Sequence, residues 1–273
     1  MTDVQAFVKA RRPDALQVIS ASDWRHFMIL RQFLHADPVA ASYLFGCGGQ
    51  NVGAVVDPVG DIEPYLKSAE MNGMRLRYVI DTHIHADHIS SARELAKAAG
   101  AGYVLFADAD VNFPFKAVSD GDVLKLGNVF IRVLHTPGHT PEHISLIVTD
   151  RTRSQDPWFI LTGHTLMVGD LGRTELATSA EEGARILYRT AQTLKELPDY
   201  LEILPGAYSG SVCGRSLSGK PISTIGFEKR NNKALLIDNE VEFVQVMVAD
   251  IPVPPAGAAA IRAANSGREV AAP

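Results

Sequence analysis

Cysteine is scarce in this chain: Cys47 and Cys213 are the only two in 273 residues. That excludes a disulfide framework and leaves two unpaired thiols as the expectation. No apolar run is long enough to span a bilayer, and the opening stretch MTDVQAFVKARRPDALQ mixes charges through its apolar positions. A secretory leader is therefore not expected, no membrane partner is expected, and the cytoplasm is the expected location. Basic charge is not in excess either, with 26 basic against 31 acidic residues and a net charge of -5. The electrostatic footprint of a nucleic-acid binder is thus missing. There is no fixed-period repeat and no interior linker. We expect one catalytic domain over residues 1–250, followed by a Pro/Ala-rich tail over 251–273, IPVPPAGAAAIRAANSGREVAAP, extended or loosely ordered.

What is present is an alternation of short apolar runs with amphipathic helical patterns, the signature of an α/β layered fold. FMILRQFL, SYLF and NVGAVV read as early strands, the last stopped by Asp57-Pro58. In DIEPYLKSAEMNG, Ile62, Tyr65, Leu66 and Ala69 share one helical stripe that Gly73 closes. RYVIDT is a strand, and Ser91 with Glu94 has the spacing of a helix-opening capping box, so HIHADH must be the loop between them. GYVLF, NVFIRVL, ISLIV and WFIL are further strands. Ser179 and Glu182 open a second helix, with Leu187, Ala191 and Leu194 on one face and Pro198 beyond its end.

Histidine is where the chemistry concentrates. Six of the nine histidines sit in or beside turns that follow strand-like runs, the places where a sheet aims what its loops supply. His83 and His85 are two apart, so on extended backbone both imidazoles project to one side and can share a metal. Asp87 and His88 follow after the chain has turned. They are the candidate catalytic pair, facing a second cation or orienting the first set. In HTPGHTPEH the Pro137-Gly138 turn pushes His139 out at the mouth of a strand as a metal ligand, whereas His135 and His143 read as structural or supporting groups.

THIHADH, then HTPGHT, then Thr-Gly-x followed by GRT, together resemble the metallo-β-lactamase superfamily, and within it the persulfide dioxygenase and glyoxalase II branch. The likeness runs from about Phe27 to Ile251. It implies a four-layer αβ/βα sandwich with metal held at the strand ends. LGRTEL and PGAYSGSVCGRSLSGKPISTIGFEKRNN are most similar to bacterial persulfide dioxygenases, including forms fused to a rhodanese. The resemblance implies a homodimer, and the linker-like tail suggests a separate rhodanese as partner.

Two positions depart from that pattern. Relatives of this branch carry an aspartate ligand where this chain reads Thr162-Gly163-His164, and a histidine soon after Pro205 where it reads Ala207; no histidine follows His164. Asp170, six residues on, reads as a turn residue rather than a substitute ligand. A two-metal site holds its ions about 3.5–4 Å apart and needs a bridging group, whereas the second position here keeps only Asp87 and His88. The first position is better furnished, with His83, His139 and His164 as a three-nitrogen face and His85 beside it. Against the usual face of two histidines and one carboxylate, an imidazole at 164 leaves an Fe(II) centre one unit more positive, which favours an anionic thiolate or persulfide.

The expected function is a non-haem Fe(II) persulfide dioxygenase that oxidises glutathione persulfide with O2 to sulfite and glutathione. One alternative is a zinc-dependent thioester hydrolase of the glyoxalase II kind with Zn(II) at the site, and another is a non-catalytic sulfur-binding or regulatory relative. Arg173 and Arg215 are candidates to meet the substrate's carboxylates, and Tyr208 to donate a hydrogen bond over the site. The Lys229-Arg230 pair reads as surface charge, and Cys213 as an inert thiol.

Overall fold

Runs rich in β-branched and aromatic residues pair edge to edge in two sheets, because only a partner strand satisfies their backbone while their apolar faces are buried. The structure, a computed structural model, describes residues 27–249, 251, 253–254 and 257–268. The opening stretch read for a leader and the last five residues of the tail lie outside the described residues.

The first sheet runs β1 (Met28–Ala36), β2 (Val39–Cys47), β3 (Val52–Val56), β4 (Arg75–Ile80), β5 (Gly102–Phe106) and β6 (Lys116–Val118), in that spatial order. β1, β2 and β3 pair antiparallel, and β3 through β6 pair parallel. Parallel neighbours need crossovers, which α1 (Glu63–Met71) and α2 (Ala92–Ala99) supply on either side of β4. The second sheet holds β7 (Val123–Leu126), β8 (Val129–His135), β9 (Ile144–Asp150), β10 (Phe159–Gly163), β13 (Glu202–Pro205) and β14 (Ser223–Thr224), again in spatial order. Among the described residues its one parallel pair, β10 with β13, is joined through α3 (Ala180–Lys195), after a small hairpin of β11 (Leu166–Met167) and β12 (Asp170–Leu171).

Alternation of side chains puts Phe45, Val56 and Ile80 on the inner face of one sheet against Leu126, Ile131, Leu146 and Phe159 of the other. Phe45 meets Phe159 edge-on at 5.8 Å. Each such side chain removed from water stabilises the fold by about 1.5–3 kcal/mol. On the outer faces, Tyr65, Ala69 and Leu95 cover Leu44 and Val79, while Leu187, Ala191 and Leu194 cover Ile160 and Ile203 with Phe243 of α5 (Glu240–Ala249). The result is the αβ/βα sandwich.

Two local features differ from the sequence reading and one agrees with it. Ser91 does not cap α2: its hydroxyl turns to the Gly60 carbonyl, and Ser90 Oγ accepts from Ala92 N at 3.1 Å instead. Ser179 does cap α3, accepting from Glu182 N at 3.3 Å. The tail is not simply extended, since α6 (Ala258–Asn265) forms there after α4 (Ile225–Asn231) and α5. Its run of alanines carries the highest helix propensity of any residue.

The turn after β8 is pressed onto α3. Gly138 has φ +135°, and a Cβ there would lie 2.6 Å from Leu187 Cα. Gly138→Ala is expected to cost about 2–4 kcal/mol in urea unfolding; an unchanged midpoint would contradict this close approach.

Candidate metal centre

Four chain segments leave their strands at one end of the sandwich and converge. Asp57 follows β3, the His83–His88 loop follows β4, His139 follows β8, and His164 follows β10. Gly163 makes the last turn possible: at φ +49° it brings the backbone so close that a Cβ would sit 2.5 Å from His143 Nε2. The His83 ring centroid lies 4.8 Å from those of both His139 and His164, and 4.1 Å from that of His85. The ligand atoms of His83, His85 and His164 fall within 4.8 Å of one another, as do those of His139, His164 and Cys213, and those of His85, Asp87 and His88.

Hydrogen bonds decide which nitrogen of each ring faces inward. The Thr82 hydroxyl donates to Asp57 Oδ2 at 2.8 Å and has no second proton, so His83 Nδ1–H donates to Thr82 Oγ1 at 3.0 Å. His83 therefore presents Nε2. His139 Nδ1–H donates to the Arg173 carbonyl at 2.7 Å, which leaves its Nε2 to coordinate. His85 Nε2 pairs with Asp57 Oδ1 at 3.2 Å and presents Nδ1. His143 Nε2 accepts from the His164 backbone N–H at 3.2 Å, so Nδ1–H donates to Thr136 Oγ1 at 2.9 Å. His143 thus holds the strand end that carries His164.

His83 Nε2, His85 Nδ1, Asp87 Oδ1, both ring nitrogens of His88 and both of His164 are buried without a hydrogen-bond partner. An orphaned buried polar atom costs about 1–3 kcal/mol, so a converging set of them fits a cation that accepts their lone pairs. Imidazole and carboxylate are donors that suit zinc or iron. Burial also keeps the rings neutral, as ligation requires. It pushes His83 and His143 well below their ordinary pKa, lowers His164, and takes His139 to about 3. At His85 burial acts the same way, but the carboxylates of Asp57 and Asp87 outweigh it and raise the ring well above its ordinary value. Asp87 is held well below the carboxylate range despite burial, chiefly by His164 and His88.

Several residues that build the site escape a sequence reading. Asp57, taken as a strand stop, is buried, adopts φ +48°, and accepts from Thr82 N at 2.7 Å as well as from Thr82 Oγ1 and His85. Glu142 Oε1 accepts from Ile84 N at 2.9 Å, and Arg262 Nη1 of α6 donates to Ile84 O at 2.7 Å and to Glu142. Asn265 Nδ2 donates to the carbonyls of His85 and His88 at 2.9 and 2.8 Å, while its Oδ1 accepts from Ser90 N. The tail helix therefore clamps the loop from outside.

Residues 37–206 match the family described as the metallo-beta-lactamase superfamily. The chain belongs to that superfamily. Among curated relatives, it is 33% identical over 172 residues to a hydroxyacylglutathione hydrolase of Synechococcus sp. (strain CC9902), covering 61% of this chain and 66% of that protein. It is 27% identical over 229 residues to the mitochondrial persulfide dioxygenase ETHE1 of Homo sapiens, covering 81% and 80%. A crystal structure of a metallo-beta-lactamase from Staphylococcus aureus subsp. aureus COL superposes with a TM-score of 0.84 at 35% identity, covering 90% of this chain and 75% of that one. The crystal structure of ETHE1 from Myxococcus xanthus gives 0.75 at 27% identity, over 88% and 100%.

The two arginines and the tyrosine expected to meet a substrate are held by the fold. Arg215 is paired with Asp170 through Nη2 at 2.8 Å and donates Nη1 to the Val246 carbonyl at 3.2 Å. Arg173 is buried, ion-paired with Glu175 and bonded to the Val212 carbonyl at 2.9 Å. Tyr208 donates to the His35 carbonyl at 2.7 Å. All three groups are engaged with acceptors of the fold itself, and Arg173, buried as it is, must be paired. Asp170 opens β12 and plays a structural part, accepting from the backbone N–H groups of Leu171, Arg215 and Ser216. His135 Nε2–H donates to Pro141 O at 2.8 Å, its ring stacked on Phe106 outside the cluster. Lys229 pairs with exposed Asp199, as a surface residue does.

Two outcomes follow. Asn265→Ala is expected to destabilise the protein by about 1–3 kcal/mol and weaken metal binding about tenfold, read by thermal melting and metal titration; unchanged affinity would remove the clamp. The second concerns acidity. His83, His139, His143 and His164 bind fewer protons folded than unfolded below pH 6.5, so their contribution is full above that pH and lost as pH falls towards the folded values, about 3 for His139. His85 has the opposite sign, its stabilisation present below pH 6.5 and lost only as pH rises through its raised folded value. Four against one, the metal-free protein should lose on the order of 5 °C in Tm between about pH 7 and about pH 5.5. A Tm that rises would contradict a neutral imidazole cluster.

Proposed function

We propose that this chain is a persulfide dioxygenase-like non-haem iron enzyme, oxidising glutathione persulfide with O2 and water to glutathione, sulfite and protons. The observation that carries the reading is the mutual approach of His83, His139 and His164, with Ala207 buried against Cys213 and Met167. Its support from the comparisons is the likeness to persulfide dioxygenases over four-fifths of the chain.

His83, His139 and His164 would hold the ion. Iron bound there would supply Lewis acidity towards an anionic sulfur and the redox capacity that O2 chemistry requires. Asp57 and Thr82 keep His83 in the tautomer that presents Nε2, and the Arg173 carbonyl does the same for His139. Asp87 stays ionised at the edge of the cluster, 3.2 Å from His88 Nδ1, where it adds negative charge to the centre. Burial of His83, His85, His88, His139, His143 and His164 keeps bulk water from the reacting sulfur.

The likeness to a hydroxyacylglutathione hydrolase favours a second reading, a zinc-dependent thioester hydrolase. Iron-loaded protein given glutathione persulfide in an oxygen electrode should consume O2 and form sulfite, with a loss of at least about 100-fold in His164→Ala. No consumption at full iron occupancy would remove the dioxygenase reading, and oxygen-independent turnover of S-lactoylglutathione by zinc-loaded protein would install the hydrolase. Activity that appears only in His164→Asp would point to a non-catalytic relative.

A further inference from the structure

The loop beyond β13 brings a thiol into the centre that the proposed reaction does not use. Cys213 is buried at 1% exposure, and its Sγ lies within 4.8 Å of ligand nitrogens of both His139 and His164. It packs against Ala207, Met167 and Leu217, so the sulfur occupies space beside the small side chain of Ala207. Its backbone is pinned on both sides: Cys213 N donates to Ser211 Oγ at 3.2 Å, and Cys213 O accepts from Arg173 N at 3.2 Å. The same Arg173 aims His139 through its carbonyl. One backbone residue therefore fixes two of the three groups around this point.

The second, independent observation is His164. It is fully buried, and neither of its ring nitrogens has a hydrogen-bond partner. A ring that only filled space would bury two polar atoms at a cost with no return. A cation placed between His139, His164 and Cys213 satisfies one of those nitrogens and the sulfur together.

Charge gives the reason for a sulfur here. Three imidazoles are neutral donors, so a divalent ion bound by His83, His139 and His164 keeps its full charge inside a buried site, which is costly. We propose that Cys213 is a protein ligand of an ion held at His139 and His164, its thiolate supplying the negative charge that an imidazole at 164 cannot. Coordination breaks the Sγ–H bond and forms a sulfur–metal bond, and the proton leaves to solvent; no electron changes hands. The inference rests on the metal centre of the preceding reading and not on its reaction.

Cobalt(II), added alone and without air to the metal-free full chain, tests it. A bound thiolate gives an intense near-ultraviolet sulfur-to-cobalt charge-transfer band that imidazole and carboxylate ligands do not give. The wild-type protein should show that band. Cys213→Ser should still bind cobalt, at least about tenfold more weakly, and show visible ligand-field bands without the charge-transfer band. Cobalt bound stoichiometrically by the wild type with no such band overturns the proposal and leaves the histidine centre intact, and this outcome needs no folded variant. A band that survives in Cys213→Ser overturns it as well. Failure of the wild type to take up cobalt overturns both the thiolate and the metal centre.

Discussion

A buried carboxylate governs the geometry of this centre. Asp57 gathers Thr82 N–H, the Thr82 hydroxyl and His85 Nε2 on its two oxygens, and through the Thr82 hydroxyl it sets the tautomer of His83. Burial alone would raise its pKa, yet these bonds and the His85 charge hold it below the ordinary carboxylate range. The ionised form is what orders the loop. From there the constraint spreads outward: the loop backbone is gripped at Ile84 by Glu142 and Arg262, and at His85 and His88 by Asn265. The two sheets meet at the same place, where Ile144 N donates to Thr82 O at 2.8 Å.

The site combines many neutral buried donors with few anionic ones. An isolated cation is expensive in such surroundings, and buried lone pairs without a cation are expensive as well. Asp87 and Cys213 are the groups near His164 that can offset the charge, which gives the mixed nitrogen, oxygen and sulfur character of the cluster its physical sense. A histidine at 164 in place of a carboxylate moves one unit of negative charge away from the strand end. The sulfur from the loop after β13 lies where that charge can be restored.

Much of this was legible in the sequence because strand-end histidines are a dense, local signal. Two imidazoles two residues apart, a Pro-Gly turn before His139 and a Thr-Gly before His164 each announce a side chain aimed by a strand, and the structure brings these rings together. The long strands and the α3 cap were legible for the same reason, being continuous patterns of apolar spacing and capping. Short elements such as β6, β11 and β14, of two or three residues, carry too little pattern to be seen. Long-range polar partners carry none at all. Asn265 reaches His85 across 180 positions, and Arg215 meets Asp170 rather than solvent, because packing and not local spacing chooses such partners. The tail's alanines favour a helix, but it is Arg262 and Asn265 that place α6 against the loop.

The most direct test of the centre is elemental analysis of metal-saturated protein, wild type beside His164→Ala. One ion per chain in the wild type, nearly absent from the variant, is the expected result for a single site that includes the imidazole at 164. Two ions per chain, or one ion retained undiminished in His164→Ala, would contradict it.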